Sequence, residues 1–166
     1  YLQSAVSRIH KVSEPESIKA MVTVARTIAW YAKVTGRHAS DAFHLCDSEH
    51  CLPFSGSDED RRLVSLLVDR TRDEVVTFQG KPFWPYFHHT CGGYTASARE
   101  VFGIGDIIHI GRQDRIPGRD IDNCTHSPAY RWMREFTKEN MAYFLNMTYA
   151  AGVQGTFLRW EPIRHD

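Results

Sequence analysis

What the sequence lacks sets its first limits. No apolar run approaches the ~20 residues that a membrane-crossing helix needs, so no transmembrane segment is expected in this chain. Neither sign of charge predominates: 20 Lys and Arg stand against 20 Asp and Glu, for a formal net charge of zero. That removes the bulk attraction on which nucleic-acid and anionic-membrane binders depend, and no nucleic-acid partner is expected. Internal repeats and low-complexity linkers are missing too. The 166 residues therefore read as one domain, 1–166, long enough to bury a core. The chain starts at Tyr1 with neither an initiator Met nor a signal sequence, as in a processed or trimmed piece, so any targeting segment is out of view rather than excluded.

Cysteine is scarce but even in number. Cys46, Cys51, Cys91 and Cys124 permit two disulfides, one disulfide plus a metal pair, or four free thiols. Histidine is abundant by contrast, with nine residues, several of them beside cysteines.

The apolar rhythm places the elements. Ile18, Met21, Val22, Ala25, Ile28, Ala29 and Ala32 recur at the spacing of one buried helical face, predicting a long helix from Glu14 to about Val34. Ser13 and Glu16 fit a capping box, Pro15 suits a first turn, and Gly36 is placed to end the helix. Arg26 sits in the middle of this helix, either solvated or ion-paired or projecting into a cleft. Tyr1 to Ile9 reads as a strand or a short helix. Ser57 to Arg72 reads as a second helix, capped by Ser57, with Leu63, Val64, Leu66, Leu67 and Val68 as its buried stripe.

Val75 to Phe78 and Pro82 to Phe87 read as a β-hairpin, with Pro82 confining the second strand to an edge. That strand runs into F-H-H-T-C-G-G-Y-T, Phe87 to Thr95, where the glycine pair marks a sharp turn or a close approach. Ser97 to Gly103 looks like a short helix and Asp106 to Ile110 a short strand. Cys124 to Pro128 is a turn leading into a helix from Ala129 to Phe136. Thr137 is placed to cap a further helix through Met141 and Leu145, and Gly152 to Trp160 reads as a last strand. The sum is an α+β class: a long N-terminal helix, a β-hairpin leading to a Gly-Gly turn, and C-terminal helices.

The loop from Arg37 to Gly56 carries H-L-C-D-S-E-H-C, His44 to Cys51. Imidazole and thiolate are the ligands of a tetrahedral zinc site, whereas a Cys46–Cys51 disulfide is the competing reading. The spacing leaves both open.

Several separate stretches, in order, resemble the SpoIID/LytB domain, the family of the stage II sporulation protein D and the amidase enhancer. Y-L-Q-S-A-V, Tyr1 to Val6, is similar to the family's Y-L-x-G-V-V opening. E-S-I-K-A-M-V-T-V-A-R-T, Glu16 to Thr27, resembles its E-A-L-K-A-Q-A-V-A-A-R-T helix. L-C-D-S-E-H-C, Leu45 to Cys51, resembles its D-x-x-H-C loop, and Thr71 to Phe83 its T-x-G-x-V-L-x-Y-x-G-K-P-I hairpin. F-H-H-T-C-G-G-Y-T resembles F-H-S-S-S-G-G-x-T, and C-T-H-S-P-A-Y-R-W, Cys124 to Trp132, resembles C-x-x-S-P-x-x-x-W.

The resemblance implies an extracytoplasmic bacterial domain whose partner is peptidoglycan glycan strands. In sporulation members the domain is a lytic transglycosylase, cutting between N-acetylmuramic acid and N-acetylglucosamine and leaving a 1,6-anhydro end. Amidase enhancers instead stimulate a cell-wall amidase. Such cleavage needs a carboxyl group that gives a proton to the glycosidic oxygen and later takes one from the muramyl C6 hydroxyl. The family's Glu follows the opening motif in an E-M-P tripeptide. Here Arg8-Ile9-His10 stands in its place, and neither Arg8 nor Ile9 can act as that acid. Glu14 and Glu16 are the substitute candidates, with loss of catalysis and retained glycan binding as the rival reading. Arg26, His88, Thr90, Gly92, Gly93, Thr95 and Trp132 are the expected glycan contacts. The resemblance further suggests a Cys91–Cys124 disulfide that fixes the Gly-Gly turn. It also suggests a structural zinc on His44, Cys46, His50 and Cys51, with His38 in reserve. One more departure lies between Leu145 and Gly152, where the family's longer stretch and its S-G-R-V-type strand are not found.

Overall fold

The computed structural model describes residues 1–9, 14–54, 62–103, 109–137, 139–141 and 143. It shows helices and two small antiparallel sheets, the α+β class expected from the sequence. The chain divides into two compact units. The first comprises Tyr1–His89 and Ala96–Gly111, and the second Thr90–Thr95 with the described residues from Arg112 on.

The first unit is built on three helices, α1 (Leu2–Ile9), α2 (Pro15–Thr35) and α3 (Arg62–Arg70). The choice left open at the N-terminus falls to helix, because Leu2, Ala5 and Val6 line one face at i, i+3 and i+4. Ala5 and Val6 pack with Ile18, Met21, Val22, Ala25 and Ile28 of α2, with Leu67 of α3, and with Leu52. The predicted stripe of α2 is thus the core itself. Gly36 ends α2 at φ +63°, its N–H directed at the Ala32 and Lys33 carbonyls. Glu14 holds the N-cap position without a side-chain cap bond; the predicted Ser13 cap lies outside the described residues, as does Ser57. On α3 the stripe is narrower than expected. Val64, Leu67 and Val68 meet the core, while Leu63 and Leu66 are exposed, because a single i, i+3, i+4 face suffices for one contact.

The hairpin forms with strands of two residues each, β1 (Thr77–Phe78) and β2 (Lys81–Pro82), paired Thr77 with Pro82 and Phe78 with Lys81. Both turn residues have positive φ, Gln79 at 51° and Gly80 at 74°, as a two-residue hairpin turn of the mirror-image kind demands. The predicted strand to Phe87 stops here, since Pro82 and Pro85 lack the N–H groups that a longer ladder would use. Helix α4 (Ala98–Phe102) follows with both bonds of the capping box between Ser97 and Glu100 in place. Of the strand expected from Asp106 to Ile110, only His109 and Ile110 are described, and neither is in a strand.

In the second unit β3 (Tyr94–Thr95) pairs antiparallel with β4 (Arg112–Gln113), and a 3₁₀ turn covers Asn123–His126. The helix expected over Ala129 to Phe136 is absent. Side chains hold this stretch instead: the Tyr130 hydroxyl donates to Asp122 at 2.5 Å, and Arg131 Nη1 donates to the Gly92 and Tyr130 carbonyls at 2.8 and 2.9 Å. Beyond it, Thr137 accepts from the Asn140 N–H at 3.2 Å and residues 139–141 are helical, matching the predicted cap. The strand predicted from Gly152 to Trp160 lies outside the described residues. Among the described residues no helix is long and apolar enough to cross a membrane.

Candidate functional site

Four ligand-type side chains converge in the first unit: His38, Cys46, His50 and Cys51, their donor atoms all within 4.8 Å of one another. Three of them come from the loop that the sequence singled out. The fourth is His38, whereas His44 is exposed and does not join the group. The left-handed Gly36 reverses the chain after α2. Two tight turns then follow, Ala39 N–H to the Gly36 carbonyl at 2.8 Å and Asp41 N–H to the His38 carbonyl at 3.0 Å, and these bring His38 back to the loop.

The separations suit a tetrahedral ion. His38 Nε2 is 3.2 Å from Cys51 Sγ, while His50 Nδ1 is 3.5 Å from Cys46 Sγ and 3.8 Å from Cys51 Sγ. With metal–sulfur bonds of about 2.3 Å and metal–nitrogen bonds of about 2.0–2.1 Å, a regular tetrahedron sets its sulfur–nitrogen edges at about 3.5 Å. The outer shell is present as well. His38 Nδ1 lies 2.8 Å from Asp41 Oδ2, so a proton on Nδ1 donated to the carboxylate leaves the Nε2 lone pair for the ion. Ser48 hydrogen-bonds Cys46 Sγ at 3.3 Å and receives the His50 N–H at 3.2 Å, and the Asp47 carboxylate receives the Phe54 N–H. The Ser48 contact is the main cause that brings the Cys46 thiol down to about 6, with His50 assisting, whereas burial pushes Cys51 up. Burial, followed by the charges of Cys51 and Cys46, raises the neighbouring Tyr1 to about 12.

Arg37 ties this loop to its surroundings. Its Nη2 donates to the His50 carbonyl at 3.2 Å, and its guanidinium lies 4.3 Å from the centre of the Trp84 ring, which in turn meets Tyr31 of α2 edge-on. Asp47, Ser48 and Glu49 of this loop also line an open groove of 560 Å³, together with Arg8, Pro53 and His89. A smaller one, 300 Å³, runs over Leu52, Trp84, Pro85 and Phe87.

The remaining residues singled out by the sequence fall as follows. Arg26 is consumed within the first unit, donating to the Glu74 carbonyl at 2.9 Å and to the Val68 carbonyl and Thr71 hydroxyl at 3.2 and 3.3 Å, where it closes the C-terminal end of α3. Glu14 and Glu16 are exposed at the start of α2, and Glu16 is paired with Lys19 at 2.6 Å. His88 is exposed, in the first unit.

The Gly-Gly turn belongs to the second unit. Gly92 and Gly93 sit at φ 69° and 108°, and a Cβ on Gly93 would run into the Asp122 carboxylate, which is why only glycine serves there. The Thr90 and Ser127 hydroxyls are 2.5 Å apart, and Thr95 Oγ1 exchanges bonds with the Arg112 backbone. Trp132 is 78% exposed. Cys91 and Cys124 are free thiols with sulfurs 3.5 Å apart, and they are joined by Asp114, whose Oδ2 accepts from Cys91 at 3.0 Å. Sequence reading missed Asp114, for it shares no motif with either cysteine. Burial, then the bond to Asp114, pushes Cys91 up to about 11, the wrong direction for a nucleophilic thiol. Asp114 itself is held low by the bonds from Cys91, Cys124 and Asn123.

Residues 1–78 match the SpoIID family, described as Stage II sporulation protein. An uncharacterized protein of Brachyspira hyodysenteriae is 34% identical over 89 residues, which is 54% of this chain and 24% of that protein. The chain thus spans about a quarter of that relative's length. No solved structure matches. The match covers Tyr1 to Phe78, which holds α1, α2, α3, the His/Cys loop and β1, and over these residues the chain is similar to the SpoIID family.

Proposed function

We propose that this chain is an extracytoplasmic module that binds peptidoglycan glycan strands, with a structural zinc on His38, Cys46, His50 and Cys51. The SpoIID match over residues 1–78 carries the reading. The open groove beside the His/Cys loop supports it, since Arg8, Ser48 and His89 offer hydrogen-bond donors to the acetamido and lactyl oxygens of a muramyl glycan. Zinc suits two thiols and two imidazoles, and a set with four protein ligands closes the coordination shell, as structural rather than catalytic sites do. When bound, the ion would clamp the loop that forms one wall of the groove. Of the expected glycan contacts, His88 in the first unit and Thr90, Gly92, Gly93, Thr95 and Trp132 in the second stay candidates, each within its own unit, whereas Arg26 is already engaged at the end of α3.

Binding is favoured over cleavage. A transglycosylase acid must reach the glycosidic oxygen at hydrogen-bond distance. Of the candidates, Glu16 is an exposed residue paired with Lys19 that lines a separate groove with Arg70 and Glu74, and neither it nor Glu14 lines the groove that contains Arg8. This same observation favours a second reading, in which the module serves a partner cell-wall amidase. The test is co-sedimentation of the full chain with purified sacculi, followed by mass spectrometry of denuded glycan for 1,6-anhydro ends. Sedimentation without anhydro product is expected, and a stimulated amidase rate supports the second reading. Anhydro product that disappears in Glu16→Gln or Glu14→Gln would restore catalysis to those residues, and failure to sediment would remove glycan binding.

A further inference from the structure

We propose that Cys91, Asp114 and Cys124 form a second divalent-metal site, a dithiolate–carboxylate set that pins the Gly92–Gly93 turn. It lies wholly within the second unit and stands independently of the glycan reading. The three donor atoms lie within 4.8 Å of one another and all three residues are half-buried. They arrive from three places in the chain: the turn before β3, the residue after β4, and the 3₁₀ turn.

The support around them has the form of an outer shell. Asn123 Nδ2 donates to Asp114 Oδ1 at 2.8 Å, which leaves Oδ2 directed at Cys91 Sγ, 3.0 Å away. The Gly93 N–H points at Cys91 Sγ at 3.4 Å, a donor suited to a thiolate. Backbone bonds from Asp114 N–H to the Gly93 carbonyl, 3.0 Å, and from Asn123 N–H to the Asp114 carbonyl, 3.3 Å, hold all three segments in register. Second-shell partners of this kind orient ligands before the ion arrives.

The chemistry of the donors selects the ion. Two thiolates and one carboxylate suit a borderline divalent cation of the zinc type rather than calcium or magnesium, which take oxygen alone. A tetrahedral ion with bonds of about 2.3 Å to sulfur and about 2.0–2.2 Å to oxygen sets a sulfur–sulfur edge of about 3.8 Å and a sulfur–oxygen edge of about 3.5 Å. The present separations of 3.5 and 3.0 Å reach those edges by opening about 0.3 Å between the sulfurs and about 0.5 Å between sulfur and oxygen. Loading replaces the proton that Cys91 shares with Asp114, and the Cys124 proton, with the cation; both protons leave to solvent and no redox step is involved. Three protein ligands leave a fourth position open, so the ion can take an exogenous oxygen ligand, unlike the four-ligand cluster in the first unit.

The test is a Co²⁺ titration of the full chain, purified with reductant under anaerobic conditions and stripped with chelator, following the thiolate-to-cobalt absorption. Two equivalents are expected for the unaltered chain. Cys46→Ser should remove one of them, and Cys124→Ser the other. Asp114→Asn keeps the shape of the side chain and its contact with Asn123, and it should weaken the second equivalent by roughly tenfold or more with helix content unchanged. A single equivalent that is indifferent to both Cys124→Ser and Asp114→Asn overturns the proposal. So does a Cys91–Cys124 disulfide peptide recovered quantitatively from protein isolated without reductant, the cross-link that the family resemblance suggests.

Discussion

His38 and His44 stand six residues apart and have different fates. The first meets Cys51, His50 and Asp41; the second faces solvent. His38→Ala should therefore abolish tight metal binding by the Cys46/Cys51 loop, whereas His44→Ala leaves it intact. Asp41→Asn, which removes only the outer-shell carboxylate, should cost about 10–100-fold in affinity, readable by competition with a chromophoric chelator. Equal loss from His38→Ala and His44→Ala would refute this placement. Three of the four donors were legible because they sit together in H-L-C-D-S-E-H-C. His38 was named only in reserve, because its approach depends on the left-handed Gly36 and the two turns after it, which no ligand spacing encodes. Asp114 is the same lesson at greater distance: it reaches Cys91 across 23 positions through pairing of β3 with β4.

Among the elements, helices were far easier to read than strands. The rhythm of α2 named six of its seven buried residues, missing Thr27 and adding the half-buried Ala29, because a 21-residue helix averages over many positions. Ile28 is fully buried at the centre of that face, and Ile28→Ala should lower the unfolding free energy by about 2–5 kcal/mol in a urea titration. A loss below 1 kcal/mol would mean that this face is not the core. Arg26 was ambiguous on periodicity alone, since a polar residue in an apolar helix looks the same whether it faces a cleft or a neighbour's last carbonyls. The structure gives it the latter. Strands of two residues carry too little pattern to delimit, and the prolines at 82 and 85 shorten the hairpin that apolar content alone would extend. Over Ala129 to Phe136 the aromatic spacing misled. The bonds of Tyr130 and Arg131 to Asp122 and Gly92 outweigh a helical preference that has no apolar surface to bury, as the exposure of Trp132 and Met133 shows.

At the scale of the whole molecule, each of the two units carries its own cysteine-centred cluster and its own small sheet, and among the described residues the helical core belongs to the first alone. The first unit also contains its own reporter. Arg37 touches the His50 carbonyl with one nitrogen and lies over the Trp84 ring, so a shift of the loop alters the charge above an indole. Indole emission is sensitive to such a charge, which makes Trp84 a built-in optical gauge of whether the loop is loaded. Adding Zn²⁺ to the stripped chain should change the tryptophan emission. Trp84→Phe should remove the change, although Trp30, Trp132 and Trp160 remain to fluoresce. If the change survives in Trp84→Phe, the gauge is elsewhere; if Arg37→Leu also silences it, the signal travels from metal to light through a single guanidinium.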